Sequence, residues 1–207
     1  LAGLALDLVV RWLVGGPNPR LASAARELLA HTSPSLQVRE VPWPPLVTAQ
    51  QALRQVLTTA EVTPESLLAR LRAAEPDPAW VLDQAVALVI AGHETTAATL
   101  GWVGLYLGCE AEASAESVCW EVLRLHPVVP FVLRTPRVSW SLGPWDLPPG
   151  TPVAISAALV HRDPEAWTEP DAFRPARFCD TRPGLPRWLP FGGGARQCLG
   201  LHTALQV

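Results

Sequence analysis

One ten-residue stretch, Phe191-Gly192-Gly193-Gly194-Ala195-Arg196-Gln197-Cys198-Leu199-Gly200, constrains this chain more than any other. A glycine-rich loop delivers one cysteine, set between an arginine and a glycine, directly before a helix-compatible segment. Glycines let backbone pass close to a broad flat ligand because no Cβ stands in the way. Arg196 offers a rigid fork of donors for a carboxylate on the edge of such a ligand. Cys198, as thiolate, offers one axial sulfur to a metal held in a planar macrocycle. Backbone N–H groups after Cys198 are placed to tune that sulfur. The plainer alternative is a surface turn with an inert structural cysteine.

The 207 residues suffice for one domain with a sizeable core, and 49% hydrophobic with 17% charged residues is too apolar for disorder. A net charge of −3 supplies no basic field, so neither nucleic acid nor an anionic membrane is expected as a partner. Four cysteines (Cys109, Cys119, Cys179, Cys198) show neither zinc-type spacing nor the density of a disulfide scaffold. That usage points to a reducing compartment, and a cytoplasmic location is expected. There is no methionine, and the first residues lack the pattern of a leader. Leu1–Val14 is too short to span a bilayer. The longer apolar run Ala85–Leu107 carries His93, Glu94, Thr95 and Thr96 at its middle, so no transmembrane segment is expected. The nine tryptophans have no functional account at this level.

Apolar periodicity predicts a helix ending at Gly15-Gly16-Pro17, a second over Leu21–His31, irregular chain over Ser33–Leu46 and a helix over Ala49–Ala60. Thr63-Pro64-Glu65 reads as a helix start, running to about Ala74. Asp77-Pro78 opens the longest helix, reaching about Gly108, apolar nearly all round and hence central. Ser114–His126 is another helix, closed by His126-Pro127. The period then changes. Val138, Trp140 and Leu142 alternate with polar residues, as does Val153–Ser156, with Pro148-Pro149-Gly150 as a turn between, so a small sheet is expected. A short helix at Asp163-Pro164, a loop over Pro170–Pro190 and two helical turns over Leu199–Val207 complete the reading. The fold class is therefore mainly α with a small β region.

Three further motifs accompany the cysteine loop. Glu121 and Arg124 stand three apart on one helix face, within reach of each other. Phe173-Arg174-Pro175-Ala176-Arg177-Phe178 follows downstream. Ala91-Gly92-His93-Glu94-Thr95-Thr96 sets an acid beside a hydroxyl inside an apolar helix, which is costly if buried without a purpose. The bland alternatives are an exposed ion pair for the first and a threonine bonded back to the preceding turn for the last.

Together, and in this order, the motifs F-x-x-G-x-R-x-C-x-G, E-x-x-R in Glu121–Pro127, F-x-P-x-R-F and A-G-x-E-T-T resemble those of the cytochrome P450 family. The resemblance implies haem b as cofactor, with Cys198 as the iron ligand. Phe191, Gly192, Gly194 and Gly200 would form its cradle, and Arg196 and Arg134 would hold its propionates. It implies that Thr95 meets dioxygen and that Glu94 relays protons through water, with Gly92 leaving room for oxygen. Glu121, Arg124 and Arg177 would form a buried charge network behind the haem. The expected reaction is monooxygenation of a hydrophobic carotenoid, fatty acid or terpenoid. Electrons would come from NAD(P)H through ferredoxin and its reductase or another donor. The alternative is a truncated, non-catalytic remnant with incomplete haem binding. Family members run to about twice this length, so the chain is expected to be one partial domain, the C-terminal, haem-binding portion of the fold. Its parts would be a helical 1–126, a sheet-and-loop 127–190 and the thiolate loop with the next helix start at 191–207. The short link from Gly108 to Ser114 resembles a compact bacterial branch that includes a carotenoid-ring hydroxylase. His161 resembles a family position too, without an assigned role.

Overall fold

A computed structural model describes residues 1–32, 44–108, 113–179, 184 and 186–206, which form two compact units, 1–97 and 98–206. The expectations for residues 33–43 and for the Gly108–Ser114 link (residues 109–112) lie outside the described residues.

In the first unit, α1 (Ala2–Val14), α2 (Pro19–Ala30), α3 (Pro44–Thr59) and α4 (Leu67–Ala74) enclose one apolar core with the first part of α5 (Pro78–Leu107). Leu6, Val10, Leu13, Leu21, Leu28, Leu53, Leu57, Leu68 and Val89 are its largest fully buried members. α1 ends where expected because Gly15 takes φ 88°, a left-handed C-cap that other residues adopt only under strain. Asn18 caps α2, accepting from the Leu21 N–H at 2.9 Å, with Pro19 at the first helical position. α3 starts earlier than the sequence suggests, at Pro44-Pro45, since proline is harmless in a first turn.

The predicted start at Thr63-Pro64 is not a helix start. Ser66 caps α4 instead, its hydroxyl accepting from the Ala69 N–H at 3.3 Å. The Thr63 backbone is spent elsewhere, its N–H donating to the Val14 carbonyl at the end of α1 at 3.0 Å. α5 begins as expected, with the Asp77 carboxylate accepting from the Ala79 N–H at 2.9 Å. Its burial is less complete than its composition implies. Only Val81, Ala85, Val86 and Val89 are buried, and Trp102 and Leu105 are exposed. Among the described residues no helix is long and apolar enough to cross a membrane.

The second unit is organised by α6 (Ala115–Leu125), capped by Ser114 through the Ser117 N–H at 3.1 Å. Buried Trp120 and Leu123 of α6 meet Trp167, Phe178 and Trp188, with Trp120 stacked on Trp188 at 4.4 Å between ring centroids. Three of the nine tryptophans thus form this unit's aromatic core. The β region exists but pairs differently from the expectation. β2 (Trp140–Leu142) turns straight back into β3 (Trp145–Leu147), because Gly143 takes φ 57° in the two-residue loop. Pro148 and Pro149, lacking N–H groups, then end β3. β4 (Val153–Ser156) pairs antiparallel with β1 (Phe131–Arg134), from Phe131 opposite Ser156 to Arg134 opposite Val153.

A helix is absent at Asp163-Pro164. The Asp163 carbonyl accepts from Ala166 and Trp167 in a single turn, and the short α7 (Ala157–Val160) precedes it. Pro175–Phe178 forms a 3₁₀ turn inside the predicted loop, and α8 is one turn, Leu201–Ala204, rather than two.

Candidate functional site

The firmest part of the site is the charge network. Glu121 and Arg124 are both fully buried on α6. Arg124 grips Glu121 with two parallel bonds, Nε to Oε2 at 2.7 Å and Nη2 to Oε1 at 2.8 Å. Its remaining donors reach the carbonyls of His161 and Pro170, both at 2.7 Å, and of Ala172 at 3.1 Å. All five N–H groups of the guanidinium are therefore spent, which is what makes a buried arginine tolerable. Glu121 Oε1 also accepts from the Arg174 N–H at 2.8 Å and from Arg177 Nε at 3.3 Å. Arg177 donates onward to the Glu169 carbonyl at 2.8 Å. The network thus draws residues 161–177 onto α6, and the Arg124 guanidinium lies 5.2 Å over the Trp167 ring.

The cysteine loop hangs from the same helix. Phe191 packs edge-on against Trp188, which stacks on Trp120. The Gly192 N–H donates to the Leu189 carbonyl at 3.1 Å, and the Cys198 N–H donates to the Phe191 carbonyl at 2.9 Å, closing the loop. Gly192 and Gly194 take φ 68° and 67°. A Cβ on Gly194 would meet nothing within 4 Å, so backbone conformation rather than crowding demands glycine there. On Gly200 a Cβ would touch Cys198 Sγ at 3.8 Å, an ordinary contact. Cys198 and Arg196 are exposed, as is Arg134 at the end of β1, which donates to the Leu133 carbonyl at 2.8 Å. Among the described residues neither arginine pairs with a carboxylate.

This donor set fits a haem. Among the described residues no cluster of three His, Cys, Asp or Glu side chains could hold a metal ion. A single thiolate suits a metal that brings most of its own coordination, as an iron macrocycle does, and two guanidinium groups that pair with no carboxylate among the described residues suit that macrocycle's carboxylates.

On α5 the picture differs from the expectation. Glu94 is exposed, not buried, and lines an open depression with Arg26, Leu29 and His93. Exposure spares its carboxylate the desolvation cost that a buried position would carry. The Thr95 hydroxyl donates to the Ala91 carbonyl at 2.8 Å, the back-bonded geometry. The side of Gly92 that a Cβ would take is filled by Val9 of α1, whose Cγ2 lies 3.1 Å from that point. Close packing against α1 is thus one physical reason for glycine at this position.

Two groups have no role assigned from the sequence. His161 is fully buried, with Nδ1 2.9 Å from the Arg124 carbonyl and Nε2 2.8 Å from the Leu189 N–H. Burial, with Arg124 and Arg162 nearby, lowers its pKa to about 4. The second is an aromatic group. Tyr106 stacks on Phe173 at 3.7 Å, its hydroxyl lies 2.9 Å from His126 Nε2, and Trp102 stacks on His126 at 3.9 Å. Burial lowers the His126 pKa, aided by the positive charges of Arg162 and Arg124. The surplus of tryptophan and the His161-Arg162-Asp163-Pro164 run were the available signals.

The family model described as Cytochrome P450 matches residues 114–206. Cytochrome P450 135A1 of Mycobacterium tuberculosis is 31% identical across 98% of this chain and 54% of its own length. Two solved structures are similar in fold and sequence. The cyanobacterial CYP120A1 with bound retinoic acid superposes with a TM-score of 0.79 at 26% identity, covering 98% of this chain and 57% of its own. CYP175A1 of Thermus thermophilus gives 0.66 at 31% identity, covering 99% and 55%. The chain spans about half the length of the relatives it matches. The buried E-x-x-R network, the glycine-cradled cysteine and these likenesses agree: the chain belongs to the cytochrome P450 family.

Proposed function

We propose that this chain carries the thiolate-ligating portion of a haem-thiolate monooxygenase. The observation that carries the reading is an exposed Cys198 held in a closed glycine loop, anchored through Trp188 to the helix of the buried Glu121–Arg124 pair. When bound, haem b supplies the redox chemistry that inserts one atom of dioxygen into a C–H bond. The protein's residues do the rest. Cys198 Sγ would hold the iron as a thiolate. Gly192 and Gly194 hold the left-handed turns that present it. Phe191 and Gly200 flank it. Arg196 and Arg134 would hold the macrocycle's carboxylates through their guanidinium groups. Glu94, whose carboxylate meets solvent, delivers protons through water, and the Thr95 hydroxyl takes part in that delivery. Glu121, Arg124 and Arg177 do no chemistry; they hold the segments that lead to the loop.

Segments 1–126, 127–190 and 191–207 are read as parts of one family domain. The substrate is a hydrophobic molecule of the carotenoid, fatty acid or terpenoid class. Electrons come from NAD(P)H by way of a ferredoxin and its reductase or a comparable donor, in the cytoplasm. A second reading, a non-catalytic chain with incomplete or no haem binding, is favoured by exposed apolar residues in the second unit, such as Leu105 (59%), Leu133 (61%) and Leu199 (94%). A haem titration of the chain, beside the Arg134→Ala/Arg196→Ala double variant, separates the two. Saturable one-to-one binding, weakened roughly tenfold or more in the variant, is expected for lost charge-assisted bonds. No saturable binding would sink the first reading and leave the second.

A further inference from the structure

We propose that His161 is a positioning residue for the Cys198 loop: held as the neutral Nδ1–H tautomer, it ties Arg124 of α6 to Leu189, where the loop's own hydrogen bonds begin. The tautomer follows from the partners. The Arg124 carbonyl, 2.9 Å from Nδ1, can only accept, so Nδ1 carries the proton. The Leu189 N–H, 2.8 Å from Nε2, can only donate, so Nε2 is bare. The ring is fully buried and both nitrogens are matched, whereas a space-filling core residue needs neither bond. From Leu189 the connection continues within the loop. The Leu189 carbonyl accepts from Gly192, and the Phe191 carbonyl accepts from Cys198. A single imidazole therefore joins the buried ion pair to the strand of backbone that sets the sulfur.

The charged surroundings are unfavourable to an imidazolium. Arg124 and Arg162 face the ring. The Arg162 guanidinium donates to the Leu125 carbonyl at 2.7 Å and pairs with Asp171 at 3.2 Å, and Glu121 lies behind Arg124. On the loop side Trp188, Leu189 and Pro190 carry no charge. A second ring proton would also point at the Leu189 N–H, breaking the strut at the loop side. Burial keeps the pKa at about 4, so the strut stays intact through neutral pH. Its importance for an iron ligand rests on the proposed function; the strut itself does not.

The test therefore uses the haem-free chain, so that failure of the haem reading leaves it interpretable. Nitrogen-15 NMR of the unmodified protein reads the tautomer of His161, and amide exchange is compared with His161→Gln and His161→Asn. Glutamine reaches the position of Nε2 and can accept from Leu189. Asparagine reaches only that of Nδ1. The expected pattern is an Nδ1–H ring and exchange of the Leu189, Gly192 and Cys198 amides faster by roughly tenfold or more in the Asn variant. Those amides should stay near the unmodified rates in the Gln variant, and α6 amides should be unchanged in both. An Nε2–H ring overturns the proposal. So does any other exchange pattern, including equal loosening of α6 and the loop by both variants, which would mark His161 as packing alone. The tautomer alone keeps the proposal refutable if neither variant folds.

Discussion

Replacing Arg124 with lysine keeps the charge and removes the geometry. In the native protein five N–H donors meet five acceptors: two Glu121 oxygens and the carbonyls of His161, Pro170 and Ala172. An ammonium has three donors, so at least two buried acceptors lose their partner. At about 1–3 kcal/mol for each orphaned buried acceptor, the loss is about 2–6 kcal/mol. Glu121 keeps the Arg174 N–H and Arg177 Nε, which holds the cost below that of an entirely stranded carboxylate. Amide exchange at α6 measures this directly, because the slowest amides of Val118–Leu125 report opening of the second unit. Exchange faster by roughly one and a half to four orders of magnitude is expected, at about 1.4 kcal/mol per tenfold. A change below about 1 kcal/mol would refute the reasoning, because it would mean that the five bonds do not act as a saturated set.

Acid should weaken the second unit through His161. Its folded pKa, about 4, lies below the ordinary 6.5, so the unfolded chain binds the proton first. The contribution is complete above pH 6.5 and is lost progressively as pH falls towards 4, by about 3 kcal/mol in all. Urea melts from about pH 7 to 4 check this, and His161→Gln should flatten the profile. Gly194→Ala should cost only the left-handed backbone strain, about 1–2 kcal/mol, since its added Cβ has open space. Gly15→Ala should cost more, because the Cβ would fall 2.0 Å from Thr63 Oγ1 at the same kind of backbone angle; paired thermal melts give the order.

The helices were legible where local chemistry acts alone. Gly15, Asp77 and Ser114 terminate or cap their helices through bonds to residues within four positions, so spacing reveals them; the Asn18 cap acts as locally, yet the sequence reading starts that helix at Leu21, past Pro19. The errors arose where a distant partner decided the outcome. Thr63 looked like a cap but bonds Val14, and β4 looked like the partner of the Trp140 strand but pairs with β1. Glu94 looked buried because its neighbours are apolar, although the side chain opens onto Arg26 and solvent.

The site divides in the same way. The Glu121–Arg124 pair is written into one helix turn, and the turn-forming glycines into the cysteine loop. Nothing local announces that His161 lies between Arg124 and Leu189, 37 and 28 residues away. Nor does it announce that Trp120, Trp167 and Trp188 gather into the core that carries the loop.

The central claim is that Cys198 supplies a thiolate to haem iron. The most direct measurement is the difference spectrum of the reduced, haem-loaded chain with and without carbon monoxide, beside Cys198→Ala. The account predicts a strongly red-shifted Soret band in the parent that vanishes in the variant. A band with no thiolate red shift in the parent, or one that survives Cys198→Ala, would contradict it.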